Sequence, residues 1–165
     1  MADWYQLLVE DLPYVNHIAD IVHTTLPERP EVFEEKVRLF PAGCRKLLSE
    51  KNIVGYGISH PWMHYSIPPL DEFLHKLPEA SECMYLHDVV VLPEARGRGA
   101  SSRYVDYVKG VARGMGITRL ALVSVYGTDT LWSRFGFKVV QNHSLDLKLI
   151  SYGCSAKYMV CECND

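Results

Sequence analysis

Apolar residues recur at helical spacing near the start of the chain and gather in short runs after it. Val15, Ile18, Ala19, Val22 and Leu26 fall on one face of a helix over residues 11–26, with Asp11 as its cap and Pro13 in its first turn. A second helix is expected over Glu31–Leu39, ending before Pro41. Gly43–Leu48 and Ile53–Ser59 read as strands, and the Lys51-Asn52 turn makes them a hairpin. Met84–Leu92 is a run of apolar and β-branched residues, so it reads as a buried strand. A glycine-rich loop, Pro93–Gly99, follows. Then come a helix over Ser101–Met115, a strand over Thr118–Val125 and a short helix over Asp129–Phe135. Phe137–Gln141 and Tyr158–Cys163 are the final strands expected. Strand, helix, strand in succession implies a right-handed crossover and locally parallel strands. The strand-only flanks make the whole mixed α/β, or α+β.

Residues 60–82 break this rhythm. Pro61, Pro68, Pro69 and Pro78 forbid a long regular element, although Leu70–Lys76 has room for one or two helical turns. The segment also holds His60, Trp62, His64, Tyr65 and His75. An irregular stretch of this length in a compact domain is usually functional, and its aromatic content favours an ordered lid over a linker.

Composition narrows the function classes. At 165 residues the chain is expected to form a single domain, residues 1–165. With 48% hydrophobic residues and 22% charged residues its bulk is not disordered. A net charge of −3 argues against a nucleic-acid partner. No apolar stretch reaches membrane-spanning length, and MADWYQLLVEDL does not read as a signal or transit peptide, so no membrane partner is expected. The five cysteines, odd in number and without zinc-site spacing, suit a reducing cytoplasm. No metal is expected either, since Pro61 breaks the helix that would align His60 with His64. The small total charge hides a division: residues 1–93 carry −7, residues 94–120 carry +4, and the remainder balances.

The basic block holds the sharpest local signal. Arg96-Gly97-Arg98-Gly99-Ala100-Ser101 sits between a strand and a helix. Gly97 and Gly99 let the backbone approach an anion, the first N–H groups of the helix are unpartnered, and Arg96 and Arg98 add charge. This is a pyrophosphate cradle on physical grounds. The loop is neither GxxxxGK[ST] nor GxGxxG, because Ser102 occupies the third glycine position.

The segment Tyr85-Leu86-His87-Asp88-Val89-Val90-Val91-Leu92-Pro93-Glu94-Ala95-Arg96-Gly97-Arg98-Gly99 resembles the signature strand and acetyl-CoA loop of the GCN5-related N-acetyltransferase (GNAT) superfamily. Leu131-Trp132-Ser133-Arg134-Phe135-Gly136-Phe137 resembles that family's L-Y-x-x-x-G-F segment. The resemblance implies a strongly twisted mixed β-sheet of about 6–7 strands with a parallel splayed pair, flanked by about four helices. It implies acetyl-CoA as co-substrate in the splay, its pantetheine along Val89 and Val91. The pyrophosphate would lie on Arg96, Gly97, Arg98, Gly99, Ala100 and Ser101, with Trp132 nearby. Trp132 stands where many members carry a tyrosine that protonates the departing thiolate, and its indole N–H is no acid in this range.

Acetyl transfer to an amine needs a neutral amine, a polarised carbonyl and a protonated leaving thiolate. Strand alternation puts Tyr85, His87, Val89 and Val91 on one face and Asp88 on the other. His87 is nine residues before Arg96, where related polyamine-type enzymes carry an acidic residue, and is the candidate base. Tyr126, just past the strand over 118–125, is the candidate acid. His60, Trp62 and Asp88 are candidate acceptor-binding residues. The expected activity is N-acetyltransfer to a small-molecule amine by a monomer or homodimer in the cytoplasm. The alternatives are a protein lysine or N-terminal acetyltransferase, a non-catalytic acyl-CoA-binding module, or the same fold adapted to other CoA chemistry.

Overall fold

The computed structural model describes residues 2–163. Its elements are β1 (Asp3–Gln6), α1 (Leu12–Val22), α2 (Pro30–Leu39), β2 (Cys44–Ser49), β3 (Asn52–Trp62), β4 (Cys83–Val91), α3 (Ala100–Gly114), β5 (Arg119–Ser124), α4 (Asp129–Ser133), β6 (Lys138–Val139), α5 (Asp146–Ile150) and β7 (Lys157–Glu162). The strands form one mixed sheet in the order β1-β2-β3-β4-β5-β7-β6. All neighbours are antiparallel except β4 and β5, which the α3 crossover makes parallel.

Helices cover both faces. On one, Tyr104, Val105, Val108 and Ala112 of α3 pack on Met84, Leu86, Leu120 and Leu122. On the other, Val15 and Ile18 of α1 and Phe33 and Val37 of α2 pack on Tyr56, Ile58 and Val90. Burial of such side chains is worth roughly 1.5–3 kcal/mol each and fixes the sheet between the layers.

Three segments depart from expectation. Helix α1 stops at Val22 rather than Leu26. Pro27 disfavours helical backbone at Leu26, and Thr24 and Thr25 are weak helix formers. Residues 23–29 therefore form a loop, which brings His23 and Glu28 to the site described below. Strand β3 runs on through His60 and Pro61 to Trp62, paired with β4, so these residues belong to the sheet and not to the insert. The helical turns expected at Leu70–Lys76 are absent. There the backbone N–H of Asp71 donates to Glu28 (3.0 Å), and those of Leu74 and His75 donate to Glu35 (2.6 and 2.8 Å), so carboxylates take the place of helical carbonyls.

Strand β4 carries a bulge. Ile58 pairs with Asp88 and Ser59 with Leu86, which leaves His87 as the extra residue. Side-chain alternation therefore slips by one. Tyr85, His87, Asp88 and Val90 share a face, and Val89 joins Met84 and Leu86 on the α3 side. This corrects the face assignment that strict alternation gave to His87 and Asp88. Parallel pairing is confined to Met84–Leu86 against Leu120–Leu122, so the two strands part at the bulge.

Tyr104 ties α3 to the sheet. Its hydroxyl donates to the Gly43 carbonyl (2.7 Å) and lies 2.7 Å from Ser59 Oγ. Its ring lies on Gly57, where a Cβ would stand 2.3 Å from Tyr104 Cζ. Gly57→Ala is therefore expected to destabilise the fold by about 1–3 kcal/mol through overpacking. Urea unfolding checks this; an unchanged midpoint would contradict the close packing of Tyr104 on the strand.

Candidate active site

Where β4 and β5 part, the chain encloses a cavity of about 760 Å³. The phosphate loop forms part of its wall. Gly97 and Gly99 adopt φ of 80° and 76°, and Gly99 caps α3. Arg96 Nε donates to the Val91 carbonyl (2.8 Å), while Arg103 donates to the carbonyls of Arg98 and Ala2 (2.8 Å each). The loop is thus held from both sides, and the unpartnered first-turn N–H groups of α3 remain available to an anion.

Of the expected cofactor residues, Val89, Val91, Arg96, Gly97, Gly99, Ala100, Ser101 and Trp132 line the cavity. Arg98 does not: it is exposed, and its carbonyl serves Arg103. The Trp132 indole is buried edge-on against Phe135 and Phe137 (centroids 5.9 Å each), so it packs rather than supplying a proton.

The polar end of the cavity carries two His–carboxylate pairs. His87 Nε2 lies 2.9 Å from Glu28 Oε1, with the two side chains 2% and 6% exposed. His23 Nε2 lies 2.9 and 3.1 Å from the Asp88 oxygens. Tyr56 donates to Asp88 Oδ2 (2.7 Å), and Tyr126 Oη lies 2.8 Å from His23 Nδ1. His23, Glu28, His87, Asp88 and Tyr126 all line the cavity. The structure therefore brings His87, Asp88 and Tyr126 together as candidates. It adds His23, Glu28 and Tyr56, which the sequence reading missed. Pro27 was the available signal, since it ends α1 early and turns the last four expected helix positions, 23–26, into a loop over the site.

His60 and Trp62 are placed elsewhere. His60 is fully buried in β3, its Nδ1 3.0 Å from the Pro61 carbonyl, and neither residue lines the cavity. Burial, with the charge of His87 beside it, pushes the His60 imidazole down to about 3, so it is neutral at ordinary pH. Their expected acceptor-binding role is corrected accordingly: the strand extends through them and turns His60 into the core.

Electrostatics set the protonation states. Burial alone would raise the Glu28 carboxyl. The charge and hydrogen bond of His87, the charge of Lys36 and the Asp71 amide outweigh it and pull Glu28 down to about 2. Burial lowers His23, but the hydrogen bond and charge of Asp88, with Glu28 behind, leave it raised above 6.5. Burial raises Tyr126, as does the charge of Asp88, against the opposing Thr25 hydrogen bond.

A sheet split at its one parallel pair among the described residues, with an anion-ready helix start on the wall of the split, defines the fold of an acyl-CoA-dependent acyltransferase. The chain belongs to the acetyltransferase (GNAT) family, whose model matches residues 1–137. No curated protein matches it. Among solved structures it is similar to the GphF GNAT-like decarboxylase in complex with isobutyryl-CoA, with TM-score 0.77 at 15% identity over 98% of this chain and 100% of that one. It is similar to the N-acetylglutamate synthase of Neisseria gonorrhoeae, complexed with coenzyme A and N-acetylglutamate. That match has TM-score 0.74 at 17% identity and covers 100% of this chain but 36% of that one. It is also similar to the NatC complex bound to Gag peptide and CoA, with TM-score 0.72 at 12% identity over 98% of each chain.

The Glu28 pairing gives a pH prediction. A depressed carboxyl contributes stability above its unfolded value of 4.5 and loses it as pH falls toward about 2. Glu28→Gln is expected to lower stability near neutral pH, and the gap to wild type, about 3 kcal/mol from this group, should close through that window. Urea midpoints measured across it check this; a gap that stays constant down to pH of about 2 would contradict the pairing.

Proposed function

We propose that this chain is an N-acyltransferase that moves acetyl from acetyl-CoA to the amine of a small molecule in the cytoplasm. The amine attacks the thioester carbon directly in a ternary complex. The observation that carries the reading is the covering over the polar end of the cavity. Residues 63–82 are strapped to the α2 side by Arg29, which donates to Asp71 Oδ1 from its backbone (2.7 Å) and side chain (3.1 Å). They are held on the other side by the Tyr152 hydroxyl, which donates to the Pro68 carbonyl. Leu70 and Tyr152 line the cavity beneath. A lid fixed at both sides suits a compact acceptor and leaves little course for an extended peptide.

Each residue group has a role in that reaction. The loop at Arg96–Ser101 holds the pyrophosphate by backbone N–H groups and the α3 dipole. The backbone beside Val89 polarises the thioester carbonyl. The carboxylates of Asp88 and Glu28 favour a cationic amine on its way in. Tyr126 protonates the thiolate, since Trp132 cannot. The free cysteines among the described residues support a reducing compartment.

Thiol release from acetyl-CoA, measured over panels of small amines and of peptides, tests the proposal. Sustained release with small amines is expected. Release with peptides alone would move the activity to a protein substrate, and tight binding without release would make this a binding module. Loss of carbon dioxide from a carboxylated acyl-CoA would assign it the decarboxylase chemistry named for the GphF protein. Tyr126→Phe is expected to lower kcat by about a hundredfold with acetyl-CoA binding within threefold. Wild-type turnover in that variant would remove Tyr126 from the mechanism.

A further inference from the structure

We infer that His23 is the proton relay of this site, its imidazole oriented by Asp88 and connected to the reacting atoms through Tyr126. The inference rests on the amine acyl transfer proposed above. Its geometry is a continuous line from Tyr126 Oη through the two nitrogens of one ring to a carboxylate. The steps are 2.8 Å to His23 Nδ1 and 2.9 Å from Nε2 to Asp88 Oδ1.

Direction in this line follows from chemistry. An ionised carboxylate only accepts hydrogen bonds, so His23 Nε2 carries the hydrogen and Nδ1 presents its lone pair to the Tyr126 hydroxyl. Tyr56 donates to the second Asp88 oxygen and fixes the carboxylate. His87, expected from the sequence as the base, has its Nε2 on Glu28 and a side chain only 2% exposed, whereas His23 is 13% exposed. Tyr126 is held at φ 56°, a left-handed conformation uncommon for a residue with a Cβ. Its ring stacks on His23 with centroids 5.8 Å apart. Such an outlier beside a proton-accepting ring points to placement for a task.

The step balances. The amine that arrives as a cation first yields one proton to solvent. As the neutral nitrogen then bonds to the acyl carbon, its proton passes to Tyr126 Oη while the tyrosine's own proton moves to His23 Nδ1. The resulting imidazolium is stabilised by Asp88. When the carbon–sulfur bond breaks, the sulfur keeps the electron pair and takes a proton from Tyr126 Oη, which His23 restores. No net proton is left on the protein. His23 acts through Tyr126 and is therefore a positioning residue, which a pH profile exposes.

Four groups face or flank the imidazole: Asp88 from β4, Tyr126 after β5, Glu28 from its own loop, and Tyr56 of β3 through Asp88. Asp88 and Glu28 hold its proton more tightly, so the acid limb of kcat/KM should lie above pH 6.5.

Two measurements test the relay. The first needs no turnover. Nitrogen-15 NMR of the imidazoles in the wild-type protein should show His23 as the Nε2–H tautomer, and Tyr126→Phe should shift its Nδ1 resonance. An Nδ1–H tautomer would overturn the inference even if the acyltransferase reading stands. The second uses the best amine from the thiol-release panel. His23→Gln should lower kcat about a hundredfold, abolish the acid limb and leave acetyl-CoA KM within threefold. Adding Tyr126→Phe to it should cost less than fivefold more, as for residues acting as one unit. Asp88→Asn should move the limb to lower pH. A His23→Gln enzyme with wild-type kcat and an unchanged limb would overturn the relay. If no amine supports release, the functional proposal fails by itself and the NMR result still decides the His23 geometry.

Discussion

One surplus residue in β4 governs the rest of the site. Had β3 and β4 kept their register through Ile58 and Ser59, His87 and Asp88 would stand on opposite faces of the sheet. The bulge sets both on the face toward α1, where each meets a partner from the loop after that helix: Glu28 for His87 and His23 for Asp88. It also marks the point beyond which β4 no longer pairs with β5. A split sheet exposes backbone groups that must find partners or water. The cavity at the split is a place where an extended ligand with amide groups can supply them. The bulge thus makes room for the donor and aims the acidic side chains in one local distortion.

The charge division along the sequence acquires a different meaning inside the fold. The basic stretch from Glu94 to Leu120 does put Arg96 at the cavity, but Arg98 is exposed and does not line it, and Arg103 acts on loop carbonyls. An anion placed there would meet backbone N–H groups more than side-chain charge. In the acidic part, both carboxylates at the cavity already face histidines. The polar end of the cavity is therefore less negative than the residue count suggests, and its charge depends on the protonation of His23. Attraction of a cationic amine would strengthen as His23 loses its proton, the same change that makes the imidazole able to accept one.

Much of the fold could be read from the chain because the patterns were local. The apolar stripe of α3, the β-branched run of β4 and the glycines at 97 and 99 each announce one backbone geometry. Strand β1 was missed because it is a short, mostly exposed edge strand that owes its place to pairing with β2 and to Trp4, whose indole donates to the Ala100 carbonyl. Helix α5 was missed because its five residues include Leu147 and Ile150, both exposed, so no buried stripe marked it. The site was less legible for a different reason. His23 and Asp88 are 65 positions apart, and their meeting depends on the bulge and on where α1 ends. Alternation along β4 predicted opposite faces for His87 and Asp88, and the slip at His87 that joins them is visible only in its pairing with β3.

Trp132 shows how such non-local placement bears on chemistry. Trp132 places an indole rather than a hydroxyl on α4, and packing against Phe135 and Phe137 keeps that ring in place. In the mechanism proposed above, the proton donor comes from another element that reaches the same cavity. Tyr126 meets this need from the end of β5, but a phenol alone is a weak acid at neutral pH. Raised further by burial and by Asp88, it would give up a proton reluctantly without a neighbour to replace it. The imidazole beside it supplies that neighbour and the carboxylate behind the imidazole stabilises its charged form. Under that mechanism a phenol at the strand end suffices because α1 ends early enough to leave His23 in the loop.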